Sequence, residues 1–240
     1  MSSINKAERA IIMAAGKGSR LYPATEHTPK PMVKVNGKMM IETAIEGLKE
    51  NGIDEIYIVV GYLKERFQEL KDMYPEIDLI ENPYYNTCNN ISSLYVARDH
   101  IENCIIMDGD QIIYNSEILS PEFDHSGYNC VRVTGDTDEW LLTLDEGVVT
   151  GCSRDVGSNG WQLYSISRWS AEDGRRLKGH LELEFEEKEN RQIYWDDVAL
   201  FCHPDEYELG IREMKKEDVI EVDNFNELVE LDASYGERFN

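Results

Sequence analysis

Basic residues are scarce in this sequence. Lys and Arg number 24 against 47 Asp and Glu, for a formal net charge of −23 over 240 residues. Such a chain repels a polyanion, which argues against a nucleic-acid partner, and it draws cationic ligands. The same excess of acid serves solubility. Cysteine offers no framework: Cys88, Cys104, Cys130, Cys152 and Cys202 are odd in number and none forms a CxxC pair. That pattern argues against both a disulfide scaffold and a zinc site. His27, His100, His125, His180 and His203 are scattered and form no recognisable acid–base dyad. The apolar run Ala10–Ala15 is too short for a signal-peptide core or a membrane span. No membrane partner is therefore expected, and the expected location is the cytosol. Repeats, low-complexity linkers and Pro/Gly-rich hinges are absent too. What remains is a chain with 41% hydrophobic residues, a length and composition that suit a single large α/β domain over residues 1–240, or one with a small mixed subdomain.

The first half alternates strand and helix signals. Ala10–Ala15, Glu55–Val60, Ile77–Ile80 and Cys104–Met107 are short apolar runs that read as buried strands, with Cys104 a small buried thiol. Between them, Lys38–Asn51, Lys64–Met73 and Ile91–Asp99 carry helical periodicity, and Asn51-Gly52 stops the first. This alternation predicts βαβ units and a Rossmann-like, doubly wound, mostly parallel sheet. Asn129–Val133, Trp140–Leu144, Val148–Cys152 and Trp161–Ser167 read as further strands. Ala171 to about Glu189 reads as a helix, with Leu181–Phe185 open to a strand reading and five glutamates between 182 and 189 as a solvated face. Val219–Val222 reads as a short strand and Asn224–Tyr235 as a closing amphipathic helix.

Sheets of this kind bind ligands at the carboxyl ends of their strands, which singles out two loops. The first runs Ala14-Ala15-Gly16-Lys17-Gly18-Ser19-Arg20-Leu21-Tyr22-Pro23. Its glycines permit a tight turn whose N–H groups converge on one anion. Arg20 adds bidentate donors, and Lys30 is held between Pro29 and Pro31 close behind. A lysine fixed there suits charge that develops in phosphoryl transfer. The third glycine of a dinucleotide fingerprint is missing, since Leu21 occupies its place, and the loop is not a Walker A motif. The second loop, Asp108-Gly109-Asp110, offers a carboxylate suited to Mg²⁺, although a turn-capping Asp is equally ordinary there. Asp223, before the closing helix, reads by itself as an N-cap.

The run Ala14–Pro23 with Thr25 and Pro29-Lys30 resembles the signature of the NTP-dependent nucleotidyltransferases that make activated sugars and alcohols. The resemblance implies that residues 14–19 cradle the NTP, that Arg20 and Lys30 neutralise the triphosphate, with Lys17 beside them, and that Asp110 and Asp223 hold Mg²⁺. It places nucleoside contacts at Asn89, Asn90 and Ser93, whose side chains suit either a pyrimidine edge or helix caps. Over its whole length the chain is similar to the bacterial CTP:phosphocholine cytidylyltransferases. That likeness runs through Val60–Glu65, Asn89-Asn90, Ser93–Tyr95, Asp138–Trp140, Ser167–Trp169 and Tyr194–Asp196. It implies a nucleotide-binding part over about 9–115, an acceptor-binding part over about 116–240, and CTP and phosphocholine as substrates. A homodimer is compatible with it. Quaternary ammonium groups are held by aromatic faces and carboxylates; Trp140, Tyr194, Asp196 and Trp169 are the residues expected to supply them, with core packing the competing role for Trp169. The Glu-Lys-Pro segment usual in sugar-phosphate enzymes of this fold is absent, which leaves a sugar-1-phosphate nucleotidylyltransferase as the alternative reading.

Overall fold

Four apolar segments build the parallel half of the sheet in the computed structural model, which describes residues 4–239. They are β1 (Arg9–Ala14), β2 (Glu55–Val60), β3 (Asp78–Glu81) and β4 (Cys104–Asp108). β2 and β4 flank β1, and β3 flanks β2, all in parallel register. Helices cover both faces, so neighbouring residues of β1 enter different cores. Ile12 packs with Ile41, Ile45 and Leu48 of α1 (Met40–Glu50) and Phe67 and Leu70 of α2 (Phe67–Met73). Ile11 and Met13 pack with Ile91 and Leu94 of α3 (Ile91–Val96) and Leu177 and Leu181 of α4 (Ala171–Glu182). Burial on both sides is why these strands read as continuous apolar runs.

The second half is mixed. It adds β5 (Gly127–Thr137), β6 (Leu141–Asp145), β7 (Val148–Ser153), β8 (Gly157–Trp169) and β9 (Gly210–Glu213). The long β8 runs antiparallel to β4, β5 and β6. The order is therefore β7-β6-β8-β4-β1-β2-β3, with β5 on β8 and β9 on β5. This is an α/β fold with a doubly wound parallel half, as the alternation of elements implies. The strand order reverses between β1 and β4, the place where such sheets leave a crevice.

Several expectations need correction. The closing helix is broken into α5 (Phe225–Leu231) and α6 (Ser234–Phe239). Between them Asp232 accepts hydrogen bonds from the N–H groups of Asn36 and Ser234, which holds it out of the helix. α4 continues from Glu182 into a wider π turn over Leu183–Glu187, so the strand reading of Leu181–Phe185 falls. Within that turn Glu184 is not solvated: it is fully buried and meets Lys188, Asn190 and His203 at 2.6, 2.5 and 2.9 Å. An unexpected strand, Gln111–Ile113, pairs antiparallel with Val219–Glu221, and this small ladder shapes the site.

Candidate active site

β1 and β4 end side by side, and their loops are stitched together where the Gly109 N–H donates to the Met13 carbonyl at 2.9 Å. A Cβ on Gly109 would approach that carbonyl to 3.2 Å, so a small residue suits the contact. In the first loop Gly18 has φ 60°, a left-handed conformation that favours glycine. Its carbonyl is held by Thr25 Oγ1 at 3.0 Å and by the Leu21 N–H at 2.9 Å. Lys30 is buried in a short turn over Lys30–Met32, with Pro29 and Pro31 on either side.

The ladder between Gln111–Ile113 and Val219–Glu221 brings the two expected metal-binding carboxylates together, although they lie far apart in sequence. Glu221 pairs with Gln111, which sets Asp110 and Asp223 just beyond the paired ends. Lys30 Nζ lies between them, 2.6 Å from Asp110 Oδ2 and 3.6 Å from Asp223 Oδ1. Arg20 reaches the same Asp223 oxygen at 2.8 Å. Asp223 does not cap α5: Asn224 does, accepting from the N–H groups of Asn226 and Glu227. Asp110 likewise spends its carboxylate on Lys30 and not on its own turn.

These groups line a cleft of about 350 Å³ together with Ala14, Ala15, Gly16, Gly18 and Ser19 of the glycine loop, and Asn90, Ser93 and Asp108. Lys17 is exposed and outside that lining. Asn89 is outside it too, because its side chain donates to the Gln192 carbonyl and accepts from the Asn90 N–H. Asn90 accepts from the Trp195 N–H at 2.9 Å, and Ser93 from Asn82 Nδ2 at 3.1 Å.

A second chamber of about 190 Å³ adjoins the cleft through Asn90 and Asp108. Trp140, Tyr194 and Asp196 line it, as do Glu139, from the Asp138–Trp140 segment, and Ser165 and Glu221, which were not expected there. Trp169 does not reach it. It is fully buried, bonded through Nε1 to Ser167 Oγ at 2.9 Å and packed edge-on against Tyr128, Trp195 and Tyr207. As the last residue of β8 its side chain falls on the α3–α4 face, so the expected acceptor role gives way to core packing.

The chamber is acidic. Burial pushes the Asp196 carboxyl up to about 7. Loss of solvent, with Asp110 next to it, lifts Glu221 to about 7. Asp108 is raised by desolvation and then by Asp110, Asp196 and Glu221. Asp196 Oδ1 has no hydrogen-bond partner among the described residues. The Tyr128 hydroxyl lies beside it without the geometry of a hydrogen bond. Outside this wall, Trp140 meets Tyr194 and Phe201 edge-on, with centroids at 5.5 and 6.0 Å. The Arg154 guanidinium lies 4.1 Å from the Trp140 and Phe201 centroids and pairs with Asp197. The site thus sets Arg20 and Lys30, each paired to a carboxylate, at the glycine-loop end and an acidic, aromatic wall at the other.

Several known proteins similar to this chain are cytidylyltransferases. A nucleotidyl transferase family model matches residues 9–125. A 2-aminoethylphosphonate cytidylyltransferase of Lancefieldella rimae is 38% identical over 229 residues, covering 94% of this chain and 92% of its own. A choline-phosphate cytidylyltransferase of Streptococcus pneumoniae is 33% identical over 224 residues, covering 93% and 96%. The solved structure of a CTP:phosphocholine cytidylyltransferase from Streptococcus pneumoniae superposes with a TM-score of 0.85 at 32% identity, over 94% of this chain and 98% of that one.

Proposed function

The chain belongs to the nucleotidyl transferase family, and on that premise we propose that it moves the cytidylyl group of CTP onto a small acceptor. That acceptor has a phosphate or phosphonate at one end and an amine cation at the other. Phosphocholine and 2-aminoethylphosphonate, the acceptors in the relatives' names, both answer this description. One observation carries the reading: a cleft that sets Arg20 and Lys30 at the glycine loop shares Asn90 and Asp108 with an acidic chamber. A molecule negative at one end and positive at the other fits across that junction.

The N–H groups of the loop around Gly16 and Gly18 receive the triphosphate. Arg20 and Lys30 neutralise it, leaving the carboxylates they hold in its absence. An acceptor oxygen forms a bond to the α-phosphorus as the bond from that phosphorus to the bridging oxygen breaks. Pyrophosphate leaves in line with the electron pair. The acceptor oxygen is already ionised at neutral pH, so no side chain has to remove a proton, and no histidine lines either chamber among the described residues. Lys30 meets the charge that gathers on the transferring group.

Asp110 and Asp223 are hard oxygen donors at the open mouth of the loop, partly exposed to the cleft. Mg²⁺ takes such a pair and completes its shell with water and phosphate oxygens, so the donor set fits, and we assign these two residues to it. The ion supplies charge neutralisation on the triphosphate. The test is pyrophosphate release with Mg²⁺ for each of four NTPs against amine phosphates, 2-aminoethylphosphonate and glucose-1-phosphate. Release confined to CTP with the amine acceptors is expected. Release with glucose-1-phosphate alone, or with no acceptor, would overturn the reading.

A further inference from the structure

The aromatic cage expected to hold a cation already holds one. Trp140, Tyr194 and Phe201 form a corner of edge-on rings. Arg154, from the turn after β7, lays its guanidinium 4.1 Å from two of the ring centroids and 5.9 Å from the third, Tyr194. Asp197, itself buried, pairs with that guanidinium. Stacking of this kind is favourable where solvent is partly excluded. A second cation set against the same faces would meet Arg154's charge and displace its contacts.

The chamber inside the rings has the opposite need. Asp196 is 4% exposed and lines the chamber, and one of its carboxylate oxygens meets no donor in hydrogen-bond geometry among the described residues, the Tyr128 hydroxyl lying beside it out of line. A buried acceptor left in that state is costly and is relieved by an N–H group. A primary ammonium has three N–H donors, whereas a trimethylammonium has none. Glu139 and Glu221 on the same wall accept hydrogen bonds as well.

We infer that Arg154 is a specificity-determining residue, one that fills the aromatic corner with its own guanidinium and leaves Asp196 to receive a primary amine, so that the acceptor is an aminoalkyl phosphate or phosphonate and not a quaternary one. This rests on the cytidylyltransferase reading above and names its acceptor class. Nothing in the aromatic residues alone separates the two acceptors. The occupied corner and the carboxylate oxygen left outside hydrogen-bond geometry do.

The experiment compares kcat/KM for phosphoethanolamine and phosphocholine, a pair differing only in three methyl groups, with CTP and Mg²⁺. The wild-type protein is expected to favour phosphoethanolamine by at least about tenfold, the low end of what a pocket achieves between substrates that differ by single carbon groups. Arg154→Ala is expected to move the ratio toward phosphocholine by about tenfold while KM for CTP stays within about twofold. Asp196→Asn reads the inner wall independently and is expected to cost phosphoethanolamine more than phosphocholine. A wild-type preference for phosphocholine overturns the inference, and so does an unchanged ratio in a folded Arg154→Ala protein. Absence of release with every amine acceptor removes the cytidylyltransferase reading itself, a failure distinct from a preference for the wrong amine.

Discussion

Lys30 sets one positive charge between two carboxylates and is nearly closed off from water. Its position depends on Gly18, where a Cβ would come within 2.7 Å of the Lys30 Cβ. Lys30→Ala is expected to lower kcat by about 10²–10³-fold, the usual loss when one preorganised donor is removed. Its far-ultraviolet circular dichroism should match the wild type. Steady-state kinetics alongside that spectrum check it, and wild-type turnover would remove Lys30 from the chemistry. Gly18→Ala is expected to lower kcat as well, since the left-handed turn and Lys30 must both shift; an unaltered kcat would show that the loop tolerates displacement. These residues were legible in the sequence because their neighbours announce them: glycines in a loop after a strand, and a lysine between prolines. Asp110 by itself read equally as a Mg²⁺ carboxylate and a turn cap, and Asp223 as a helix cap, so family likeness was what paired them. Glu221 and Arg154 had no local signal, because what makes them part of a site is the folding together of distant strands.

At the scale of elements, the parallel half announced itself and the mixed half did so less fully. Strands buried on both faces leave apolar runs that stand out, and β1, β2 and β4 fall within a residue of their expected bounds. β9 has only four residues and was missed, as was Gln111–Ile113. Trp169 was drawn toward the acceptor site by its aromatic ring and the likeness over Ser167–Trp169, but the pleat of β8 turns it into the core. Glu184 sat among glutamates that suggested solvent, and only the π turn, which aims it inward, explains its burial. The contact between β5 and β9 gives this level its own test. A Cβ on Gly127 would fall 1.9 Å from the Gly210 carbonyl oxygen, so the strands cannot keep their register with a larger residue there. Gly127→Ala is expected to destabilise the protein by about 3 kcal/mol, the upper end of ordinary single substitutions. Urea unfolding measures it, and a midpoint equal to the wild type would contradict the packing described.

Across the whole molecule, the net charge of −23 and the cluster of carboxylates at the site act in the same direction. Asp196 has its folded pKa raised to about 7 from an ordinary 3.8 by burial. The folded state therefore binds the proton more tightly than the unfolded chain does. The stability this group contributes is fully present below about pH 4 and is lost as pH rises through about 7. Without substrate, the protein is expected to melt at a higher temperature at pH 5.5 than at pH 8, and Asp196→Asn is expected to flatten that slope. Thermal denaturation across the range decides it; an equal slope in the variant would mean that the general negative charge accounts for the effect. A bound amine reverses the preference, because it pairs with the ionised carboxylate.

The most direct measurement follows phosphorus. CTP, Mg²⁺ and 2-aminoethylphosphonate incubated with the protein are monitored by ³¹P NMR. The expected result is a pair of coupled resonances from a new phosphonate–phosphate anhydride, rising in step with pyrophosphate. CTP that stays intact, or that is hydrolysed to CMP while the phosphonate signal does not change, would contradict cytidylyl transfer to an amine-bearing acceptor.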